Sequence, residues 1–279
     1  MSRVALSTLS SESESRQNQS RFYNMSSVPK YDVLAFGSHP DDVELSAGGT
    51  VAQMTAQGYR VGIVDLTAGE LGSRGSAELR QEEAVKAAQI LGVERRVNLN
   101  IPDGSIRNIR KNRRKVIEEL RICRPDLILI PAPDCRHPDH PAGARLVADA
   151  AFFSGLVKIR TKAEDGAPHE PWRPHHILHY MQSIPFEPTI VVDVSKTWKI
   201  RTEAVRAYAS QVFDATYEAS EDEPETFISS AAFMEWYDAR AKTYGHRVGA
   251  AFGEPFLYRH GPIGTDDMIA LLKKEKPLR

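Results

Sequence analysis

The chain has 279 residues with 36 basic and 37 acidic side chains, so no overall charge would draw it to nucleic acid or to an anionic membrane. Hydrophobic residues make up 41% of the chain, which is enough for a sizeable core, and no apolar stretch is long enough to cross a bilayer. Cys123 and Cys135 are its only cysteines, so we expect no disulfide framework and a reducing, cytoplasmic compartment.

Residues 1–30 differ in composition from the rest of the chain. They are rich in serine and poor in apolar side chains, which predicts a disordered tail. From residue 31 onward the sequence contains neither an internal repeat nor a clear linker. We therefore expect residues 31–279 to form a single domain.

Apolar runs that predict strands alternate with helical segments over the first half of this domain. Strands are predicted at residues 31–36, 60–66, 97–99 and 127–130, with helices between them at residues 43–57, 77–91 and 108–123. This order predicts an α/β fold, a Rossmann-like and mostly parallel sheet with helices on both faces.

The second half of the domain has a weaker pattern. A helix at residues 142–157 is followed by strands at residues 177–181 and 189–194. Ser195 is predicted to cap a helix that runs to about residue 210, and a further helix is predicted at residues 227–244. The remainder is expected to be irregular until a short basic helix at the C-terminus.

Two polar clusters directly follow predicted strands. Gly37–Asp42, with the sequence Gly-Ser-His-Pro-Asp-Asp, follows the first strand, and Arg136–His140, with the sequence Arg-His-Pro-Asp-His, follows the strand at residues 127–130. Ligands of open α/β sheets bind beyond the carboxyl ends of the strands. The two clusters are therefore predicted to meet in one site.

The residue types in the clusters are those of a metal-dependent hydrolase. Catalytic zinc takes three protein ligands and keeps a fourth position open, which His39, Asp42 and His140 can satisfy. Fe²⁺ or Mn²⁺ would suit the same ligands. Asp41 is the candidate general base, and His137 can donate to a developing oxyanion or protonate a leaving nitrogen.

The supporting residues are predicted with alternatives. Asp139 is expected to hold the ring of His137 in one tautomer. Arg80 borders the same crevice and is expected to bind a substrate carboxylate or phosphate, unless it forms a surface ion pair with Glu78, Glu82 or Glu83. The first cluster by itself is equally compatible with a helix N-cap. Cys135 is predicted to be a spectator thiol.

The sequence also resembles the LmbE-like, or N-acetylglucosaminyl-phosphatidylinositol deacetylase, superfamily. The resemblance lies in residues 32–44, 48–50, 65–71, 79–84, 121–125, 136–140 and 242–245. Within the superfamily the chain is most similar to the bacillithiol-biosynthesis branch, which removes acetate from N-acetyl-glucosaminyl-malate. The resemblance covers essentially the whole chain from Tyr31 to about Phe256.

The resemblance implies the same metal ligands and catalytic residues, and it adds two expectations. Arg80 would contact the malyl carboxylates, and the chain would form a homo-oligomer, in this family often a hexamer. Two positions depart from the family pattern: Cys135 stands where relatives carry a charged or polar residue, and Phe233 aligns with an active-site tyrosine. Alternative interpretations are deacetylation of another N-acetyl-glucosamine conjugate, of the inositol or chitobiose type, or a non-catalytic module that binds a metal or a nucleotide.

Overall fold

The computed structural model describes residues 30–163, 165–217, 222–262 and 264–272. Residues 1–29 of the predicted tail lie outside these residues, and so do residues 273–279, at the end where a short basic helix is predicted. Tyr31 begins a compact unit. Among the helices that the structure describes, none is both long and apolar enough to cross a membrane.

Seven strands and seven helices are seen in the described part of the chain. The first half contains β1 (Val33–Gly37), α1 (Asp42–Ala56), β2 (Val61–Asp65), α2 (Ala77–Leu91), β3 (Arg95–Asn98), α3 (Arg110–Cys123), β4 (Leu127–Ile130) and α4 (Asp139–Ser154). The second half contains β5 (His176–Tyr180), β6 (Ile190–Asp193), α5 (Trp198–Arg206), α6 (Ala231–Arg247), β7 (Gly253–Tyr258) and α7 (Met268–Leu272).

The strands form one sheet in the order β3-β2-β1-β4-β5-β7-β6. The five strands from β3 to β5 are parallel, and β7 is antiparallel to both of its neighbours. Alternate residues of β1 face different cores: Leu34 packs with the cluster that includes α3 and α4, and Ala35 packs with the cluster that includes α1 and α2. The predicted Rossmann-like α/β fold is therefore confirmed.

The sheet places β1 beside β4 although about ninety residues of chain separate them. From β1 the chain moves outward through β2 and β3, then returns to continue on the other side of β1 with β4 and β5. This reversal is the topological switch point, where open α/β sheets bind their ligands. Both polar clusters follow the carboxyl ends of strands at that point, the first after β1 and the second after β4.

Two predictions for the second half are wrong. Residues 253–258, expected to be irregular, form β7. This strand was hard to predict from the sequence, because it contains Gly253 and Pro255, and both residue types are uncommon inside strands. The helix expected to start after Ser195 begins at Trp198 and ends at Arg206. Ser195 does not cap it, because its hydroxyl donates to the Asp193 carboxylate at 2.6 Å.

A buried ionic network lies beneath the clusters and joins β2, β3 and α1. Arg96 donates from Nε and Nη2 to the two carboxylate oxygens of Asp65, at 2.7 and 2.9 Å. It also donates to Glu44, whose carboxylate accepts the Tyr208 hydroxyl at 3.1 Å. These charge-assisted bonds fix the first turn of α1 against the sheet.

Candidate active site

The two clusters meet at the carboxyl ends of β1 and β4. The ring centroids lie 4.7 Å apart for His39 and His137, 5.5 Å for His39 and His140, and 5.0 Å for His137 and His140. Asp42 lies among them, with Oδ1 3.1 Å from His140 Nε2 and Oδ2 3.6 Å from His39 Nδ1. The three predicted metal ligands are therefore neighbours.

The carboxylate of Asp42 is held from several directions. Its Oδ2 accepts the backbone N–H groups of Ser38 and His39 at 2.9 and 3.0 Å, because α1 begins here and turns the side chain back onto the loop. Its Oδ1 accepts Gln182 Nε2–H at 3.0 Å. Burial raises the pKa of Asp42, but the rings of His140 and His39 outweigh burial and hold the pKa well below its usual value.

The ring of His39 is oriented by a carboxylate that the sequence did not indicate. Its Nε2 donates to Asp103 Oδ1 at 3.0 Å, and this leaves Nδ1 facing Asp42. Asp103 lies in the loop after β3 and accepts Leu71 N–H at 3.1 Å. Burial lowers the pKa of His39, but the carboxylates around the ring raise it well above its usual value.

The contact predicted for Asp139 differs in the structure. Its carboxylate lies 3.5 Å from His39 Nε2 rather than on the ring of His137, and it accepts Gly104 N–H at 2.8 Å. His137 Nδ1 instead accepts the backbone N–H of Asp139, at 3.3 Å. The reason is that α4 begins at Asp139, so its amide points back along the chain while its side chain turns to the loop after β3. Burial and the neighbouring imidazoles lower the pKa of His137.

Asp41 has an unusual backbone conformation and a buried carboxylate. Its φ of 117° is rare for a residue other than glycine, and such strain is common at functional sites. Although it is the N-cap residue of α1, its side chain makes no capping hydrogen bond. Burial raises its pKa, Arg80 opposes that rise, and the resulting pKa is about 6.

Arg80 is buried and faces Asp41. Its Nη2 donates to Asp41 Oδ2 at 2.8 Å, and its Nη1 donates to the Gly69 carbonyl at 3.2 Å. Gly69 is required here, because its φ is 68° and a Cβ at this position would lie 2.1 Å from Nη1. Within the described chain, Arg80 forms no ion pair with Glu78, Glu82 or Glu83.

This pairing predicts how the activity depends on pH. A general base works only when it is deprotonated, so activity should fall as the pH drops through the pKa of Asp41. Because Arg80 lowers that pKa, Arg80→Gln should move the acidic limb of the kcat/KM profile upward by about one pH unit. Arg74→Gln is the matched control, since Arg74 donates to the Ser210 carbonyl instead. Identical limbs in both variants would contradict the assignment.

The clusters form the floor of a cavity of about 340 Å³, a size suited to a small molecule. An aromatic wall of the cavity comes from α6 and the segment before it: Phe227, Phe233, Trp236 and Tyr237. Arg136 also lines the cavity, where its exposed guanidinium lies 4.7 Å from the centroid of the Phe227 ring.

Phe233, predicted to replace a tyrosine, is buried in this aromatic wall. Tyr237 lies one helical turn further along α6, and its hydroxyl is 3.3 Å from Ser46 Oγ. The cavity therefore retains a tyrosine hydroxyl at its edge. Tyr237 is not among the site residues predicted from the sequence, although its spacing of four residues from Phe233 places both on one face of a helix.

The donor atoms of the floor suit a divalent metal ion. Two sets in the described chain bring their donor atoms within 4.8 Å of one another: His39 with His137 and His140, and His39 with Asp103 and Asp139. The predicted set replaces His137 with Asp42, whose oxygens lie between the other two ligands. Imidazole and carboxylate donors are those preferred by zinc at catalytic sites and also by Fe²⁺.

Comparison with known proteins gives consistent matches. The sequence profile of the PIG-L family, described as GlcNAc-PI de-N-acetylase, matches residues 34–151. Diacetylchitobiose deacetylase of Thermococcus kodakarensis is 30% identical over 200 residues, which cover 67% of this chain and 72% of that enzyme. The 4-oxalmesaconate hydratase of Pseudomonas putida is 25% identical over 201 residues, which cover 66% of this chain and 75% of the hydratase.

A solved structure agrees with the fold. The conserved protein TT1542 of Thermus thermophilus is 33% identical and superposes with a TM-score of 0.72, covering 85% of this chain and 98% of that chain. The segment matched by the family profile contains both polar clusters.

Proposed function

Because the chain belongs to the PIG-L family of GlcNAc-PI de-N-acetylases, the LmbE-like superfamily, we propose that it is a zinc-dependent N-deacetylase of an N-acetyl-glucosamine conjugate. The chain is a hydrolase of amide bonds. The observation that supports the proposal most strongly is the meeting of His39, Asp42 and His140 beside the buried carboxylate of Asp41. We propose these three residues as the metal ligands.

A divalent ion held by these ligands would polarise the acetamide carbonyl and make water more acidic. Asp41 is proposed to accept the proton of the attacking water. It would do so at Oδ1, because Oδ2 already accepts from Arg80. As the acetamide C–N bond breaks, Asp41 would return that proton to the leaving amine, so that acetate and a free amino sugar are formed.

His137 is proposed to stabilise the oxyanion as a neutral donor. Its Nδ1 accepts the backbone N–H of Asp139, so the proton of a neutral ring is on Nε2 and can be donated. The lowered pKa of His137 favours that neutral form. A positioned donor of this kind is worth about 10²–10³ in kcat. The carboxylate of Asp139 would then act on His39 and not on His137.

For the substrate, we propose N-acetyl-glucosaminyl-malate, the acetylated intermediate of bacillithiol biosynthesis. Two features of the cavity support a sugar with an anionic group. The aromatic wall offers apolar faces to a sugar ring, and Trp236 remains 37% exposed. Arg136 provides a cation at the cavity that forms no ion pair with a carboxylate of the described residues. The homo-oligomer, up to a hexamer, stays a prediction.

Two arginines could meet the malyl carboxylates, and they can be separated by experiment. Arg80 is already bonded to Asp41, whereas the guanidinium of Arg136 is exposed. Arg136→Ala should raise KM for the malyl conjugate about tenfold, the effect of losing one charged hydrogen bond, and should leave methyl N-acetyl-glucosaminide unaffected. Arg145→Ala, on the exposed face of α4, is the control. Equal KM changes for both substrates would contradict this role.

The proposed function is tested by measuring acetate release from a panel of substrates. N-acetyl-glucosaminyl-malate, its inositol analogue and diacetylchitobiose distinguish the aglycones, and 4-oxalmesaconate tests for hydration. We expect acetate release with the highest kcat/KM for the malyl conjugate. Higher kcat/KM for another conjugate would overturn the substrate, and hydration without acetate release would overturn the deacetylase itself.

A further inference from the structure

We infer that Cys135 is a positioning residue that orients His140, the proposed third metal ligand, with the help of Ser183. The inference rests on the proposed function, because it concerns the same metal site. The thiol, predicted from the sequence to be a spectator, thereby has a role at the site.

The contacts of Cys135 form a short chain that ends at the metal site. Its Sγ lies 2.9 Å from His140 Nδ1 and 2.9 Å from Ser183 Oγ. Ser183 Oγ in turn accepts the backbone N–H of Arg136 at 3.0 Å. The Cys135 side chain is half-buried in the cavity wall, next to the ring it contacts.

Counting donors and acceptors assigns the direction of each bond. The oxygen of Ser183 accepts from the Arg136 amide, so its own hydrogen is free to be donated to the sulfur. Sulfur has lone pairs for this hydrogen and for one from His140 Nδ1. His140 then has its hydrogen on Nδ1 and its lone pair on Nε2, the atom that lies 3.1 Å from Asp42 Oδ1.

The same arrangement occurs on the other imidazole ligand. His39 donates from Nε2 to Asp103 and turns Nδ1 toward Asp42. Each of the two rings therefore has one nitrogen bonded to an outer acceptor and the other nitrogen facing the proposed metal position. A carboxylate orients His39, whereas a sulfur atom orients His140. Such outer partners are worth about 10–100-fold in metal affinity.

The segment after β5 supports both Asp42 and Cys135. Gln182 donates to Asp42 and accepts the backbone N–H of Ala132 at 3.1 Å, while the next residue, Ser183, contacts Cys135. Because β5 pairs with β4, this segment emerges beside the second cluster. Its backbone thus sets the position of two side chains at the site.

The experiment measures the zinc dissociation constant by competition with a chromophoric chelator at fixed pH. Cys135→Ala should weaken zinc binding about 10–100-fold, and Cys135→Ser, which keeps an acceptor, should recover most of that loss. Ser183→Ala should give an intermediate loss. Cys123→Ala removes the other thiol, which is buried in the core, and should leave the zinc affinity unchanged.

The outcomes separate the two proposals. Absence of zinc binding by the unaltered chain would overturn the proposed metal site and this inference together. Tight binding by the unaltered chain and equally tight binding by Cys135→Ala would overturn the inference alone. Equal losses in Cys135→Ala and Cys135→Ser would also overturn it, because packing and not hydrogen bonding would then be the cause. Thermal melting of each variant checks that it is folded.

Discussion

Asp41→Asn should lower kcat by about 10²–10⁴-fold while zinc remains bound. The substitution removes the group that accepts the water proton, and it leaves the three proposed ligands in place. Asparagine also tolerates the left-handed backbone region better than most residues, so the φ of 117° at this position need not change. The amide oxygen of Asn can still accept from Arg80, which keeps the buried guanidinium paired.

The measurement is steady-state acetate release together with the zinc content of the same sample. Asp134→Asn is the matched control, because Asp134 is exposed in the loop after β4 and does not line the cavity. It should retain full activity. Unchanged turnover in Asp41→Asn would show that another group accepts the proton.

His140→Ala should remove both the metal and the activity. A catalytic zinc has three protein ligands, and loss of one leaves two, too few for tight binding. Acetate release should therefore fall to background, with zinc below stoichiometric amounts by atomic absorption. The fold should remain, because His140 is only half-buried and lies beyond the carboxyl end of β4 rather than in the hydrophobic core.

The control for this variant is His175→Ala. Its imidazole is exposed and lies near Asp126, before β5, where it has no part in the cavity. It should keep a full equivalent of zinc. If His140→Ala also held a full equivalent, His140 would not be a ligand, and the proposed set of His39, Asp42 and His140 would be wrong. The set of His39, Asp103 and Asp139 would then be the alternative.

Local sequence signals predicted the elements that depend on local physics. The helix predicted at residues 77–91 is α2, with the same bounds, because Ser76 accepts Leu79 N–H at its start and Gly92 adopts a φ of 71° at its end. The strands that carry the clusters were predictable for a similar reason: continuous apolar runs between polar residues leave few alternatives. Their adjacency followed from the rules of parallel sheets.

The contacts that crossed the sheet were not predictable from spacing. Asp103 and Ser183 each follow a strand end, but no motif marks them, and only the register of β3 and β5 brings them to the clusters. The motif at residues 137–140 predicted that Asp139 would be close to the site. It could not predict which ring its carboxylate would face, since the start of α4 decides that.

Arg80 illustrates the same limit. The sequence placed it at the crevice, and in the structure it lines the cavity. Its hydrogen-bond partners in the cavity depend on the burial of the Asp41 carboxylate and on the path of the loop that contains Gly69. A buried arginine beside a buried carboxylate lowers the pKa of that carboxylate.

Acetate release from N-acetyl-glucosaminyl-malate, measured before and after metal exchange, tests whether the chain is a metal-dependent deacetylase. The chain is stripped with a chelator, divided, and reloaded with one equivalent of zinc. We expect background release from the stripped chain, recovery on reloading, and no recovery for His140→Ala under the same conditions. Equal acetate release from stripped and reloaded samples would contradict a metal-dependent deacetylase at this site.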